Sequence, residues 1–490
     1  MKSRKKTAAV IGVFTCCLGV WFLWYATIGR DDVAGIRYDV RYFGASGTRT
    51  SDGHFIPPSE LGNSDYCGHC HLDIFHQWDA STHHFSSFND PYYRRVALDV
   101  SARKGPEATK FCAGCHDPLP LVGGEMPVRD LEGWSANAGM TCLSCHRIVA
   151  LHAPENGGYT VSRPTLHPFA LTDRPMMQRV HELLVKLTPF LHRNVLMKPF
   201  YRSPEFCNGC HTVRIPREIN GASTLVIQSE TDTVLRPAHS AASLSGDSKR
   251  SCQDCHMPLV RSNDPAAQGG FVHSHRFVGG NTALPTLNRD SDQLHATERF
   301  LADGIATIEI GGTAIEGVPE GAGVRPRTGD VVDLAVRVHN RGVGHPFPGG
   351  TADSNEAWIS IAVQDTRGTN VFVSGSTGPS DPLPPGTYTF GVEFLSRDGV
   401  RTDRRTTATD AVSIGRSTVL QPDEWRTIHY RFRVPANVKF PLNVVAAINW
   451  RKFSPRFADW AFDGRRVPPL PITVLSRAET KVGEVKLARN

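Results

Sequence analysis

The chain opens on an unbroken apolar run and closes on regular alternation. From Thr7 to Gly29, "TAAVIGVFTCCLGVWFLWYATIG" carries no charged side chain. As a helix it would span roughly 35 Å at about 1.5 Å per residue, enough to cross the hydrocarbon core of a bilayer. Far downstream, "DVVDLAVRVHN" sets Val332, Leu334, Val336 and Val338 at every second position. "EAWISIAVQD", "RTIHYRFRVP" and "PLNVVAAINW" alternate in the same way, each bounded by Gly-, Pro- or Asp-rich turns. A period of two between turns predicts an antiparallel β-sandwich, Ig-like, over 306–475. The polar stretch 476–490 is expected to be a loosely held tail. Residues 31–305 are expected to form short helices and loops, and "LTPFLHRNVL" reads as an apolar helical segment. The fold class expected is α+β and multidomain, with a transmembrane helix at residues 1–30.

Charge clarifies the ends and little else. "MKSRKK" supplies Lys2, Arg4, Lys5 and Lys6, which by the positive-inside rule stay cytoplasmic and send the rest of the chain across the membrane. A cleaved signal peptide is the alternative. Its apolar region would be shorter and would end in small residues, where this one has Trp21, Phe22, Trp24 and Tyr25. Removing those four charges from the formal +6 leaves only +2 for the remainder. That is no basis for a nucleic-acid partner, which would need clustered basic residues. At 490 residues, with 34 prolines and 44 glycines, the chain suits two or more turn-rich domains rather than a helical bundle.

Cysteine usage carries the chemistry. Cys16 and Cys17 lie within the apolar run and read as filler. The other ten form five Cys-x-x-Cys pairs, each followed at once by histidine. They are Cys67, Cys70 and His71; Cys112, Cys115 and His116; Cys142, Cys145 and His146; Cys207, Cys210 and His211; and Cys252, Cys255 and His256. Zinc binding does not demand a histidine directly after every pair, and a thioredoxin-like redox motif would occur once. Two thiols on one turn reach the two vinyl groups of a haem, and the adjacent histidine then falls beneath the iron. Five covalently bound haem c groups are therefore expected in residues 31–305. Motif spacings of 45, 30, 65 and 45 residues exclude a simple solenoid repeat.

Sixteen histidines remain as candidates for the opposite face of each iron. Context favours four. His83 lies in "HQWDASTHHFSSF", and His192 lies in the apolar helical segment leading to the fourth motif. His275, with His273 as its rival, precedes a glycine turn and is close in sequence to the fifth motif; His152 follows the third. His84, His167, His239 and His295 rank lower. Met257 adjoins His256 and is badly placed for the far face. Mainly bis-histidine ligation would give lower potentials than His/Met ligation.

Four stretches resemble the multihaem cytochromes c that include hydroxylamine oxidoreductase and its tetrahaem electron acceptor. They are W-x-x-S-x-H (Trp78, Ser81, His83), "FCAGCHDP", "GMTCLSCHRI" and "SHRFVGGN", within about residues 60–300. The resemblance implies a distal-ligand role for His83. It departs from hydroxylamine oxidoreductase in having five motifs rather than eight. It departs from the pentahaem nitrite reductases in lacking a Cys-x-x-Cys-Lys site. Both departures argue against those multielectron reactions. An anchor followed by haems also resembles membrane-bound quinol dehydrogenases, in architecture alone.

One loop of the C-terminal region stands apart: "HNRGVGHPFPGGTADSNEAW". Related multihaem cytochromes carry similar G-H-x-F-P loops, which implies that His345 contacts the haem domain, as a distal ligand. The alternative is a turn histidine among residues chosen for loop geometry. Asp353 and Glu356 are too few for calcium, which takes six to eight oxygens.

The sequence thus predicts a single-pass inner-membrane cytochrome with its bulk in the periplasm, passing electrons along a haem row. Its partners would be the membrane, redox donor and acceptor proteins or a quinol, and no nucleic acid. Two alternatives stay open. One is an oxidoreductase with one open-site haem acting on a small nitrogen or sulfur compound; the other is a quinol dehydrogenase feeding periplasmic reductases. Electron transfer is favoured over substrate conversion.

Overall fold

The computed structural model describes residues 42–170, 172–222, 224–230, 251–318, 325–465 and 467–483. The expected anchor at 1–30 lies outside the described residues. Among those described, no helix is long and apolar enough to cross a membrane.

The N-terminal region is built from short helices, as expected, with small two- and three-stranded ladders between them. Its longest helix, α1 (Pro91–Lys104), starts at a proline with the Asp90 side chain accepting the Tyr92 amide at 2.8 Å. It ends at Gly105, whose φ of +87° suits glycine. Tyr92, Val96, Ala97 and Val100 form its buried face. Two further helices, α2 (Pro175–Leu187) and α3 (Pro189–Leu196), follow one another across Thr188. The region closes with α4 (Ser291–Ala302), capped by Asp290.

Beyond α4 the four alternating segments form strands, and among the described residues six further strands accompany them. These are β1 (Thr307–Ile315), β2 (Val331–His339), β3 (Glu356–Gln364), β4 (Asn370–Ser374), β5 (Thr389–Phe390), β6 (Val392–Leu395), β7 (Ser413–Ser417), β8 (Trp425–Arg433), β9 (Leu442–Arg451) and β10 (Thr473–Val482). One antiparallel sheet runs β8-β2-β1; the other runs β4-β3-β9-β10, with β5 also paired to β3. Their inward positions share one core. Val332, Leu334, Val336 and Val338 of β2 are fully buried, as are Ile359 and Val363 of β3 and Val444 and Ile448 of β9. This is how a sheet pair removes its apolar faces from water.

The expected tail is corrected over residues 476–482, where β10 continues in register with β9; residues 484–490 lie outside the described residues. Arg477, Glu479 and Lys481 point to solvent while Leu475 and Val482 point inward. An edge strand shows this polar bias because charged outward positions discourage further pairing.

The two regions pack closely. Tyr92, Val96 and Val100 of α1 meet Phe453, Phe457, Ala458 and Ala461, the last three on helix α5 (Pro455–Ala461). The Trp450 indole donates to the Gly280 carbonyl at 2.8 Å. A Cβ on Gly280 would lie 2.5 Å from that indole ring, so the contact requires glycine there.

Candidate metal centres

Each cysteine motif lies on one short segment of chain, so both thiols and the following histidine project from neighbouring backbone. Four lie within the helices Thr109–His116, Cys142–His146, Pro204–His211 and Cys252–His256; in the first, Cys67 is in helix Ser64–Gly68 and Cys70 and His71 follow it, His71 at the N-cap of helix Leu72–Asp79. The local sequence stabilises them. Thr141 caps the third by accepting the Ser144 amide at 3.0 Å, and Ser251 with Asp254 forms a capping box on the fifth. None of the ten motif cysteines is joined in a disulfide.

Among the described residues, the tertiary fold then places a remote imidazole opposite the motif histidine at four of the five sites. Ring centres of His71 and His192 are 6.1 Å apart, those of His146 and His275 6.4 Å, those of His256 and His345 6.3 Å, and those of His83 and His211 6.1 Å. Two imidazoles in van der Waals stacking would sit closer. A metal–nitrogen bond of about 2.0 Å on each side, plus about 1.15 Å from nitrogen to ring centre, puts trans imidazoles roughly 6.3 Å apart. All four spacings match that bridge. Three pairs are near parallel, at 17°, 24° and 15°, whereas His83 and His211 are crossed at 77°.

Second contacts aim the rings. The Nδ1 of His146 bonds to the Leu196 carbonyl at 3.0 Å, that of His256 to Val278 at 2.6 Å, that of His275 to His273 at 2.9 Å and that of His345 to Pro346 at 2.9 Å. A carbonyl partner fixes the proton on Nδ1 and leaves Nε2 with a free lone pair for a metal. At the second site the Nδ1 of His116 bonds to the Ser86 carbonyl at 2.8 Å, and its ring stacks on Tyr93 at 4.2 Å. Burial also holds the remote imidazoles neutral, the form that ligates. It pushes His83 down to about 3 and His192, His275 and His345 each to about 4, with neighbouring histidines adding to the effect.

Two of the recognisable stretches acquire physical roles. In W-x-x-S-x-H, the Trp78 indole donates to the Met140 carbonyl at 2.7 Å, and the His83 carbonyl accepts the Met140 amide at 2.9 Å. Ser81 is fully buried within this turn. Gly139 has a φ of +63°, and a Cβ there would stand 1.8 Å from the His84 carbonyl oxygen. The loop after the first motif is thereby fastened to the approach to the third, and delivers His83 to the fourth. "SHRFVGGN" serves three sites at once. His275 faces His146, Phe277 makes an edge contact with His83 at 4.1 Å, and the Val278 carbonyl orients His256.

The sequence neighbourhood misplaces some partners. His275, near the fifth motif in sequence, faces the third; His192, which leads to the fourth motif, faces the first. His152 sits on the surface with its Nε2 on the Gly47 carbonyl at 2.7 Å, and that bond occupies the nitrogen a metal would need. His84 stacks on Trp78, His167 bonds to Thr188 and His273 to the Met257 carbonyl. His239 lies outside the described residues. Sequence reasoning missed Asp264, which bonds to His71, and Tyr93; each meets its histidine only through the tertiary fold.

The thiols also meet across motifs. Cys67 lies beside Cys142, Cys210 beside Cys115, and Cys207 beside Cys252. Cys145 is close enough to Cys210 to interact electrostatically. The order of adjacency runs from the first motif to the third to the fourth, where it branches to the second and the fifth. Among the described residues, no group of three or more His, Cys, Asp and Glu side chains is arranged to hold a metal ion unaided. The donor set is one of paired imidazoles flanked by paired thiols, which fits a covalently tethered haem.

No protein-family model matches the chain, and no curated protein sequence does. Among solved structures, it is similar to a penta-heme cytochrome c552 from Thermochromatium tepidum, with a TM-score of 0.55 and 18% identity. The match covers 87% of this chain and 100% of that one. At that identity the likeness is one of fold: this chain is built on the architecture of a penta-heme cytochrome.

Proposed function

We propose that this chain is a pentahaem c-type cytochrome that carries electrons singly, anchored by residues 1–30 and working on the periplasmic side of the inner membrane. The observation that carries the reading is the set of four imidazole pairs at 6.1–6.4 Å, each joining a motif histidine to a remote one. The fold shared with a penta-heme cytochrome supports it. Cys67 and Cys70, Cys112 and Cys115, Cys142 and Cys145, Cys207 and Cys210, and Cys252 and Cys255 would tether the rings. His71, His116, His146, His211 and His256 would hold the irons from one side, and His192, His275, His83 and His345 would close four of them from the other. Bound haem supplies reversible one-electron chemistry between ferric and ferrous iron. The chain itself would attach, orient and space these groups, and two histidine ligands per iron would leave no coordination position for a substrate at the four paired sites. Electron carriage is favoured over substrate conversion for that reason.

Expression with haem maturation followed by a pyridine haemochrome assay is expected to give five haems per chain, with the four paired sites low-spin when oxidised. His345→Ala is expected to turn one haem high-spin. A count other than five, or an unchanged spectrum in His345→Ala, rules out the corresponding assignment.

A further inference from the structure

The hydrogen bond behind His71 differs in kind from those behind the other oriented rings. His116, His146, His256, His275 and His345 each turn Nδ1 to a backbone carbonyl. His71 turns it to a carboxylate, Oδ1 of Asp264, at 2.7 Å. The Asp264 side chain is fully buried, while that of His71 remains 25% exposed. Oδ1 also accepts the Ala266 amide at 2.8 Å. Oδ2 is buried without a hydrogen-bond partner among the described residues. Beyond the Ala266 amide, the His71 N–H is the contact among the described residues that neutralises this carboxyl.

The placement depends on the fold. Asp264 lies in the loop between the two strands of the hairpin that follows the fifth motif, Leu259–Arg261 and Phe271–His273. Two further bonds hold that hairpin over the helix after the first motif. Ser262 Oγ donates to Asp73 at 2.6 Å, and the His275 amide donates to Gln77 Oε1 at 2.9 Å. The Asp264 amide in turn bonds to Ser262 Oγ at 3.0 Å.

We propose that Asp264 is a positioning residue that sets the haem of the first motif to a lower reduction potential than the sites whose rings rest on carbonyls. The inference rests on the haem reading above. With Nε2 directed to the iron, the proton of His71 is on Nδ1, and a buried carboxylate accepting it draws that proton toward itself. The imidazole gains imidazolate character and becomes a stronger donor, which stabilises ferric over ferrous iron. A carbonyl dipole does this more weakly than a full negative charge. The branched adjacency places the first motif at an end, so the low-potential site is a terminus and suits entry of electrons rather than their accumulation.

The test is spectroelectrochemical titration of the full-length holoprotein with Asp264→Asn and Asp264→Glu, alongside His192→Met to mark the wave of the first haem. In Asp264→Asn that wave is expected to move to higher potential with the other four in place, and Asp264→Glu is expected to return it toward the original value. The low-spin spectrum is expected to persist in both. Unmoved potentials in Asp264→Asn, with five low-spin haems retained, would overturn the proposal and leave the haem reading intact. All five waves shifting together would overturn it too, since that marks a general loss of packing. A wild-type chain without haem would instead remove the reading on which the proposal stands.

Discussion

At the scale of single residues, the most informative side chain is one that ligates nothing. Phe277 sits against His83 at 4.1 Å and against His275 at 5.5 Å, the remote imidazoles of two different sites. Its backbone φ is +47°, a conformation that bulky residues seldom adopt and that here turns the ring between the two histidines. Gln293, almost fully buried, holds the preceding Arg276 through bonds to both its side chain and its carbonyl, at 3.1 and 2.9 Å. Phe277→Leu keeps the backbone demand and removes the edge contacts. It is expected to change the electron paramagnetic resonance signals of two haems, one with near-parallel and one with crossed imidazoles, and leave the others as they were. The stability cost should be on the order of 1 kcal/mol, as for a modest large-to-small change in a packed site. A spectrum altered at one haem only, or at all five, would contradict this bridging role.

At the scale of elements, helix α1 links the cytochrome-like region to the sandwich, and its cap carries an unusual charge. Asp90 accepts the Tyr92 amide, yet burial raises its carboxyl to about 7, against the lowering by the amides of Tyr92 and Tyr93 and by Lys452. Below the ordinary range near 4 the group is protonated in both folded and unfolded chains and pH has no leverage. Between about 4 and 7 the unfolded chain releases the proton while the folded chain keeps it, so stability falls as pH rises, and the loss levels off above 7. Asn caps as well as Asp and does not titrate. Thermal melts are expected to show Asp90→Asn gaining on the wild type from pH 4 to 7 and holding a constant lead above that; a lead independent of pH would refute it. Such effects were not legible in the chain, because they depend on what packs over the helix end. What was legible is local. Period two made β2, β3, β8 and β9 visible, and the Cys-x-x-Cys-His turns need only neighbouring residues to form. Pairings across the fold, such as His71 with His192 and Asp264, arise from loops whose destination no periodicity encodes. The same reason hid strand β10: with one face on solvent and charges along it, half of its pattern read as a tail.

At the scale of the whole molecule, the branching order of the motifs makes a kinetic claim. Thiol contacts tie the first motif to the third, and those of the second and fifth to the fourth, with Cys145 beside Cys210 joining the two halves. His83, which faces the fourth motif, lies within electrostatic reach of His116, His256 and His275 from three other sites. The sandwich completes this centre from outside by lowering His345 onto His256, and the indole of Trp450 and the apolar contacts of α1 with α5 hold it there. If the rings are as close as their attachment residues, no site is isolated, and one electron delivered anywhere should settle on the highest-potential haem without a second molecule taking part. Rapid mixing of the oxidised holoprotein with less than one equivalent of a small reductant is expected to show two phases. The first should depend on reductant concentration. The second, a spectral redistribution among haems, should be first-order and unchanged when the protein is diluted tenfold. A redistribution whose rate falls with dilution would mean that electrons pass between molecules, and the continuous path through the fourth site would have to be abandoned.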